Sequence, residues 1–221
     1  MAALDLSDGF TAAEALGQVR SLLNEPTASY WTDNELNKWV QEATVDISSK
    51  TLCVEKKDTI ALATNTMDYT ALETLGEGAI ADIVKVHAVI YNNDSTTYKG
   101  LIKIHPRAIA HLPESTSGVP NYYYHFAGSI GFFPIPSSDE NGHSPIVYCS
   151  ISDETITNLP YYYQLAAIHY AVSMARKKQR MEAEAMQFYM MYMNSMQFHR
   201  QDLYDRGLDS KDMFQIPDRV G

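Results

Sequence analysis

The feature that most constrains the fold is a stretch of 46 residues, from Tyr161 to Arg206, that contains neither proline nor glycine. Alanine, the strongest helix former, is frequent in its first half, and Pro160 precedes it, where the start of a helix tolerates proline. The stretch predicts a helical region over 158–206, as one long helix or as two helices with a break near Arg176–Arg180. An extended C-terminal tail is predicted over 207–221.

The N-terminal region, 1–57, also has helical patterning. Thr11 and Thr32 are each followed three residues later by a glutamate, which is the spacing of a capping box. After each threonine, apolar residues recur at steps of three and four, as on the buried face of an amphipathic helix. Pro26 separates the two apolar stripes. The region is therefore predicted to form a helical hairpin.

The middle region, 58–157, is predicted to be rich in β-structure. Short segments with many β-branched and aromatic residues alternate there with turn-forming residues. One predicted hairpin pairs Tyr122–Phe126 with Ser129–Pro134 around Ala127-Gly128. With helices on both sides of this region, the chain is predicted to be an α+β protein, in which a helical bundle carries a β-rich insertion.

The composition excludes several classes of protein. The chain has 17 Lys and Arg against 27 Asp and Glu, a net charge of −10, which is the wrong sign for a protein that grips DNA. No apolar run reaches the about 18 residues of a membrane span, and the acidic start MAALDLSDGF is unlike a signal peptide. Cys53 and Cys149 are predicted to be buried thiols, with one long-range disulfide as the alternative.

No motif of the common enzyme classes is present. The sequence lacks GxSxG, HExxH, a P-loop and GxGxxG, and no two of its seven histidines have the i, i+4 spacing that places both on one turn of a helix. We therefore expect no catalytic, cofactor-binding or metal-binding residues, and no cofactor. A hydrolytic enzyme is the least favoured class.

Two segments of the predicted C-terminal helix are candidates for contact with partners. One is a basic cluster, which suits either a solvated helix face or an electrostatic contact with phosphates or an acidic subunit: Arg176, Lys177, Lys178 and Arg180. The other, residues 186–193 (MQFYMMYM), has more large apolar side chains than one buried stripe needs, so core burial and subunit contact both remain open. The residues predicted for packing or subunit contact are Trp31, Trp39, Tyr189, Met190 and Tyr192.

The order of these segments resembles the head-to-tail adaptor (connector) proteins of tailed bacteriophages over roughly residues 10–206. The hairpin contributes YWTDNELNKWVQEATVDI and the β-rich region contributes GVPNYYYHFAGSIGFFPIP. The C-terminal helical region contributes LPYYYQLAAIHYAVSMA and ends with HRQDLYDRG. The most characteristic pieces are Trp31-Thr32-Asp33, Pro120–Pro136 and Leu159-Pro160-Tyr161. None of them is a catalytic motif, so their order carries the resemblance.

The resemblance implies a structural virion protein at the head–tail junction, assembled in the bacterial host cytoplasm. Twelve copies would form a ring below the portal protein and continue the DNA channel, with no sequence-specific binding of the DNA that passes through. The β-rich region would face tail nozzle, tail tube or fibre proteins. The C-terminal tail of the chain, 207–221, would dock on the portal protein. Its predicted anchors are Met213, Phe214, Ile216 and Pro217.

Two alternatives to this function stay open. The first is another ring protein of the virion, a tail-completion or gatekeeper component. The second is a DNA-binding module that uses the basic cluster, which would bind duplex DNA in a salt-sensitive way.

Overall fold

The computed structural model describes residues 9–77, 79–92, 98–112 and 116–212; of Glu77 and of 198–212 it describes only the backbone. The chain forms two units. A helical unit comprises 1–53 and 153–221, and a β unit comprises 54–152. The predicted α+β class is confirmed.

Two helices, α1 (Ala12–Leu23) and α2 (Asp33–Thr51), form the predicted hairpin. Thr11 begins α1 with a complete capping box: its hydroxyl accepts from the backbone N–H of Glu14, and the carboxylate of Glu14 accepts from the N–H of Thr11. The hydroxyl of Thr32 caps α2 in the same manner. Because these caps satisfy backbone donors that the helix itself leaves unpaired, the local sequence is enough to set both helix starts.

The C-terminal helical region is divided into α3 (Tyr161–Lys178) and α4 (Glu182–Asp212), which is the two-helix alternative. At the break, Arg180 adopts a left-handed backbone conformation with φ of 62°. The N–H of Met181 then bonds to the carbonyl of Arg176 at 3.0 Å. This tight turn lets α4 pack along α3.

The predicted end of the helical region at Arg206 is wrong, because α4 continues through Gly207 to Asp212. A glycine inside a helix costs about 1 kcal/mol relative to alanine, which weakens a helix without ending it. The predicted tail therefore begins too early. Its four proposed anchors, at 213, 214, 216 and 217, lie outside the described residues.

The core of the helical unit is built around α3, which packs against α1, α2 and α4. Small alanine side chains on α3 let the helices approach closely, and larger residues of the other helices fill the space between them. Fully or almost fully buried residues of this core are Ala15, Val19, Leu36, Ala43, Ile47, Ala166, Ala167, Ile168, Ala171, Val172 and Ala175.

The described part of the β unit contains ten strands. They are β1 (Glu55–Thr59), β2 (Asp68–Tyr69), β3 (Ala71–Leu72), β4 (Gly76–Glu77), β5 (Ile83–Asn92), β6 (Tyr98–Gly100), β7 (Ile102–Lys103), β8 (Tyr122–Phe126), β9 (Ser129–Phe133) and β10 (Ile146–Ile151). Two four-stranded sheets have the orders β1-β10-β5-β6 and β2-β9-β8-β7, and β3 pairs with β4. Among these ten strands, β7 and β8 pair in parallel and the other pairs are antiparallel. The aliphatic and aromatic core of this unit includes Ile60, Leu72, Ile80, Val89, Tyr91, Ile130, Phe132 and Val147.

The predicted hairpin is formed by β8 and β9. Its turn has positive φ at both central residues, Ala127 at 51° and Gly128 at 74°, as a tight two-residue turn requires. Within the hairpin, Gly131 lies opposite Tyr124, and a Cβ at position 131 would come within 2.0 Å of the tyrosine ring. The glycine therefore makes room for the aromatic ring.

The boundaries of the two units differ from the predicted ones at 57–58 and 157–158. The chain divides at Cys53–Val54 and at Ser152–Asp153. The N–H of Asp153 donates to the hydroxyl of Ser48 in α2 at 3.0 Å, which ties the return segment to the helical unit. Local sequence patterns do not indicate this hydrogen bond, because it joins residues that are 105 positions apart in the sequence.

Candidate interaction surfaces of the helical unit

The two tryptophans of the chain lie together in the helical unit. Trp31 is buried and Trp39 is half-buried, and their ring centroids are 5.4 Å apart in an edge-to-face arrangement. The ammonium of Lys178 lies 5.1 Å from the ring centroid of Trp31 and 5.9 Å from that of Trp39, and it also forms an ion pair with Glu35. Both tryptophans therefore pack inside their own unit, where the cation–π contacts join α3 to α2.

Arg20 holds the loop between α1 and α2, a role that the sequence pattern did not reveal. Its guanidinium is buried and donates to the carbonyl of Trp31 at 3.0 Å and to the carboxylate of Asp33 at 2.5 Å. It also lies 3.8 Å from the carboxylate of Glu25. An arginine inside an amphipathic stripe is the only sequence signal that could have indicated this network.

Glu25 orders the loop from the inside. Its carboxylate accepts three successive backbone N–H groups, from Ser29 at 2.8 Å, Tyr30 at 2.6 Å and Trp31 at 3.0 Å. The hydrogen bond from Trp31 contributes most, and together these bonds outweigh partial burial and hold the pKa of Glu25 below its ordinary value. The loop is thus a fixed structure, and it presents Tyr30 to solvent with 62 % of its surface exposed.

The basic cluster is largely engaged within the helical unit. The guanidinium of Arg176 lies 3.2 Å from the carboxylate of Glu184 and donates to the side chain of Gln179 at 3.2 Å. Lys178 is held by Glu35 and the tryptophans, as described above. Two of the four charges are therefore paired within the unit, which leaves Lys177 and Arg180 exposed and weakens the cluster as a phosphate-binding surface.

The methionine- and tyrosine-rich segment of α4 is buried on one side and exposed to solvent on the other. Ala185 and Tyr192 face inward, and the hydroxyl of Tyr192 donates to the carboxylate of Asp46 in α2. Burial and this carboxylate raise the pKa of Tyr192 above its ordinary value. On the rest of the helix surface large apolar side chains are exposed to solvent: Met186, Tyr189, Met190 and Met191.

A groove of about 550 Å³ runs between the end of α3 and the start of α4. Its walls combine apolar side chains with one serine, one lysine and one glutamate. The lining residues are Tyr170, Ser173, Met174 and Lys177 from α3, and Glu182, Ala185, Met186 and Tyr189 from α4. Of the residues predicted for subunit contact, Tyr189 lines this groove, and the others are not among its lining residues: Trp31, Trp39, Met190 and Tyr192.

Residues 10–211 match the family of the SU10 adaptor protein, over both units described above. The chain belongs to this family of phage adaptor proteins. The predicted resemblance to head-to-tail adaptors is thereby confirmed. No curated protein matches the chain.

The two cysteines of the adaptor are reduced. Cys149 is buried, Cys53 is half-buried, and no disulfide joins them. Burial and the nearby Asp58 raise the pKa of the Cys149 thiol to about 11, so at neutral pH it is protonated. Over the described part of the chain, no three His, Cys, Asp or Glu side chains are placed to hold a metal ion, and no helix is long and apolar enough to cross a membrane.

One buried polar network in the β unit of the adaptor was missed at the sequence level. Glu140, in a loop where a solvated charge is expected, is only 4 % exposed. Its carboxylate lies 3.0 Å from Nδ1 of His143, which in turn lies 2.7 Å from the hydroxyl of the buried Tyr91. Protonated Nδ1 donates to the carboxylate and unprotonated Nδ1 accepts from the tyrosine hydroxyl, so the tautomer decides which hydrogen bond forms. Both contacts place His143 against buried groups and fix the loop before β10.

Proposed function

We propose that this adaptor joins the capsid to the tail as a ring below the portal protein and continues the DNA channel. The ring has twelve copies, as the resemblance to head-to-tail adaptors implies. The observation that carries the proposal is the exposed apolar face of α4 on a bundle that already has a complete core. Apolar faces of this kind mark protein–protein contact sites.

A closed ring with one contact per neighbour needs two different surfaces on each copy. The helical unit offers them, because the groove between α3 and α4 and the loop between α1 and α2 are formed by different residues. Tyr189 and Met190 are exposed and belong to the contact with a neighbouring copy in this proposal. Packing inside the same unit is the role that we propose for Trp31, Trp39 and Tyr192.

The partners outside the ring are the portal and the tail. Met213, Phe214, Ile216 and Pro217 are the anchors that we propose for docking on the portal. The β unit faces tail nozzle, tail tube or fibre proteins. Its apolar side chains at the surface support this assignment, since Tyr98, Ile102 and Phe126 are each about 60 % exposed.

DNA can pass through the ring only if the protein binds its phosphates weakly. The net charge of −10 and the internal ion pairs of Arg176 and Lys178 favour weak over tight binding of phosphates. The same ion pairs argue against the DNA-binding module based on the basic cluster. The adaptor acts by assembly, without catalysis, in a virion that is put together in the host cytoplasm.

The mass of the purified protein, alone and mixed with the portal ring of its phage, tests the proposal. We expect a defined multiple of the 24.8 kDa chain when the portal is present, and loss of co-migration when residues 213–221 are deleted. A tail-completion or gatekeeper protein would assemble without the portal and join other tail components. A monomer that ignores the portal and retards duplex DNA at low salt would overturn the proposal.

A further inference from the structure

The groove between α3 and α4 has the character of a binding site without an assigned occupant. It is open to solvent, it is lined by Met174, Met186 and Tyr189, and its volume of about 550 Å³ is within the range of pockets that enclose an aromatic group. Methionine side chains adapt to the shape of an incoming group. Lys177 and Glu182 place one charge of each sign at the end of the groove near the turn.

A matching protrusion lies on the same unit, in the loop between α1 and α2. Tyr30 is 62 % exposed, and its ring is supported by edge-to-face contact with Trp31 at a centroid distance of 4.7 Å. The loop that carries it is already ordered by Glu25 and Arg20. Exposed tyrosines on preformed loops bind at low entropic cost and are frequent among the residues that dominate interfaces.

The charges around the protrusion and the groove are complementary. The loop around Tyr30 carries two carboxylates and the single guanidinium of Arg20, so one excess negative charge remains there. The groove has Lys177 and Glu182 among its lining residues, and Arg180 in the turn adds one excess positive charge at that end. The loop and the end of the groove therefore carry net charges of opposite sign.

The protrusion and the groove also lie at the same end of the helical bundle. Lys178, the neighbour of the groove residue Lys177, contacts Trp31, and Trp31 is next to Tyr30. A head-to-tail contact closes into a flat ring only when its two surfaces lie at the same height on each copy. This placement meets that condition.

We infer that Tyr30 of one copy inserts into the α3–α4 groove of the next copy, and that this contact closes the ring. The inference rests on the proposed ring and specifies which surfaces form it. Each copy then uses its loop on one neighbour and its groove on the other.

Photo-cross-linking tests the contact directly in the assembled protein. Tyr30 is replaced by p-benzoylphenylalanine, whose excited ketone abstracts hydrogen from nearby C–H bonds, and the assembly with the portal is irradiated. We expect a ladder of multiply linked chains, with the link mapped by mass spectrometry to Met174 or Met186. A link to the portal, to residues outside the groove, or only within one chain would overturn the inference.

Paired substitutions give a second, independent test. Tyr30→Ala is expected to weaken assembly at least about tenfold, as truncation of a central interface tyrosine does. Tyr30→Phe is the matched control, because it keeps the aromatic ring that enters the groove and should assemble like the wild-type protein. Met186→Glu is likewise expected to block assembly, whereas Gln187→Glu adds the same charge to α4 outside the groove.

These results separate the failure of the contact from the failure of the proposed function. If the wild-type protein assembles with the portal and Tyr30→Ala assembles equally well, the contact is wrong and the adaptor role stands. If the wild-type protein does not assemble at all, both fall together. Far-UV circular dichroism on each variant checks that the fold is intact.

Discussion

The two units place their apolar and charged side chains in opposite ways. In the β unit the buried carboxylates of Asp58 and Glu140 are satisfied by groups of the same unit, and exposed apolar residues are scattered over several strands. In the helical unit four exposed apolar residues are neighbours on α4, and the others are spread over the rest of the unit. The helical unit therefore concentrates part of its exposed apolar surface on one helix. In the β unit, the buried carboxylates bind to groups in the loops of the same unit.

Each unit carries its own reporter, so the comparison can be tested by changing one unit at a time. Both tryptophans, Trp31 and Trp39, belong to the helical unit, and tryptophan fluorescence therefore follows its unfolding. Cys149 is buried in the core of the β unit, and the rate at which a thiol reagent labels it follows the opening of that unit.

The largest effect is expected from Gly131→Ala in the β unit. The added methyl group would come within 2.0 Å of the ring of Tyr124, so the hairpin must distort, at a cost of about 3 kcal/mol. Labelling of Cys149 should become much faster, and the tryptophan transition should move far less. Gly100→Ala is the control, since a Cβ there meets no atom within 4 Å. Equal labelling rates in the two variants would contradict the close packing of the hairpin.

A smaller effect is expected from Arg20→Ala in the helical unit. The change leaves the carbonyl of Trp31 without this donor, but Asp33 is 56 % exposed and stays solvated, so we expect a loss of about 2 kcal/mol. Urea unfolding followed by tryptophan fluorescence measures it. Lys38→Ala, which removes a side chain that is 74 % exposed, should change stability by less than about 0.5 kcal/mol. A result for Arg20→Ala that matches this control would show that the loop does not depend on the buried guanidinium.

The smallest effect is a dependence on pH in the β unit. Burial, helped by the charge of Lys103, lowers the pKa values of His87 and His125 in the folded protein. Their contribution to the free energy of unfolding is complete when the pH is above about 6.5, the pKa of histidine in the unfolded chain. It is lost as the pH falls below that value, because the unfolded chain then binds more protons than the folded one. Because only the thiolate reacts, the labelling rate of Cys149 is divided by that of free cysteine at the same pH, and we expect this ratio to rise as the pH falls from about 7 to about 5. The variant His87→Gln/His125→Gln should have a flatter profile, and an unchanged profile would contradict this cause.

Much of the helical unit could be predicted because its signals are local. The threonine caps at Thr11 and Thr32 and the apolar stripes after them act within a few residues, and the structure has the helices where they indicate. The turn at Ala127-Gly128 is local in the same sense. The end of α4 was missed because Gly207 is a weak local signal that a long helix overrides.

The candidate interaction surfaces could be predicted only in part. The excess of large apolar residues in 186–193 indicated that some of them face outward, but the pattern did not say which. Tyr192 and Tyr189 are three residues apart, yet only the first finds a partner in Asp46. Tyr30 carried no sequence signal, since its exposure depends on Glu25 and Arg20.

The sequence by itself determined the order and type of the elements, the net charge and the membership of the adaptor family, because each follows from residue types and short spacings. Only the tertiary structure decided the ion pairs of the basic cluster, the burial of Glu140, the exposure of Tyr30 and the groove between α3 and α4. Those features join residues that are far apart in the chain, and burial and electrostatic contact depend on distance in space rather than in sequence.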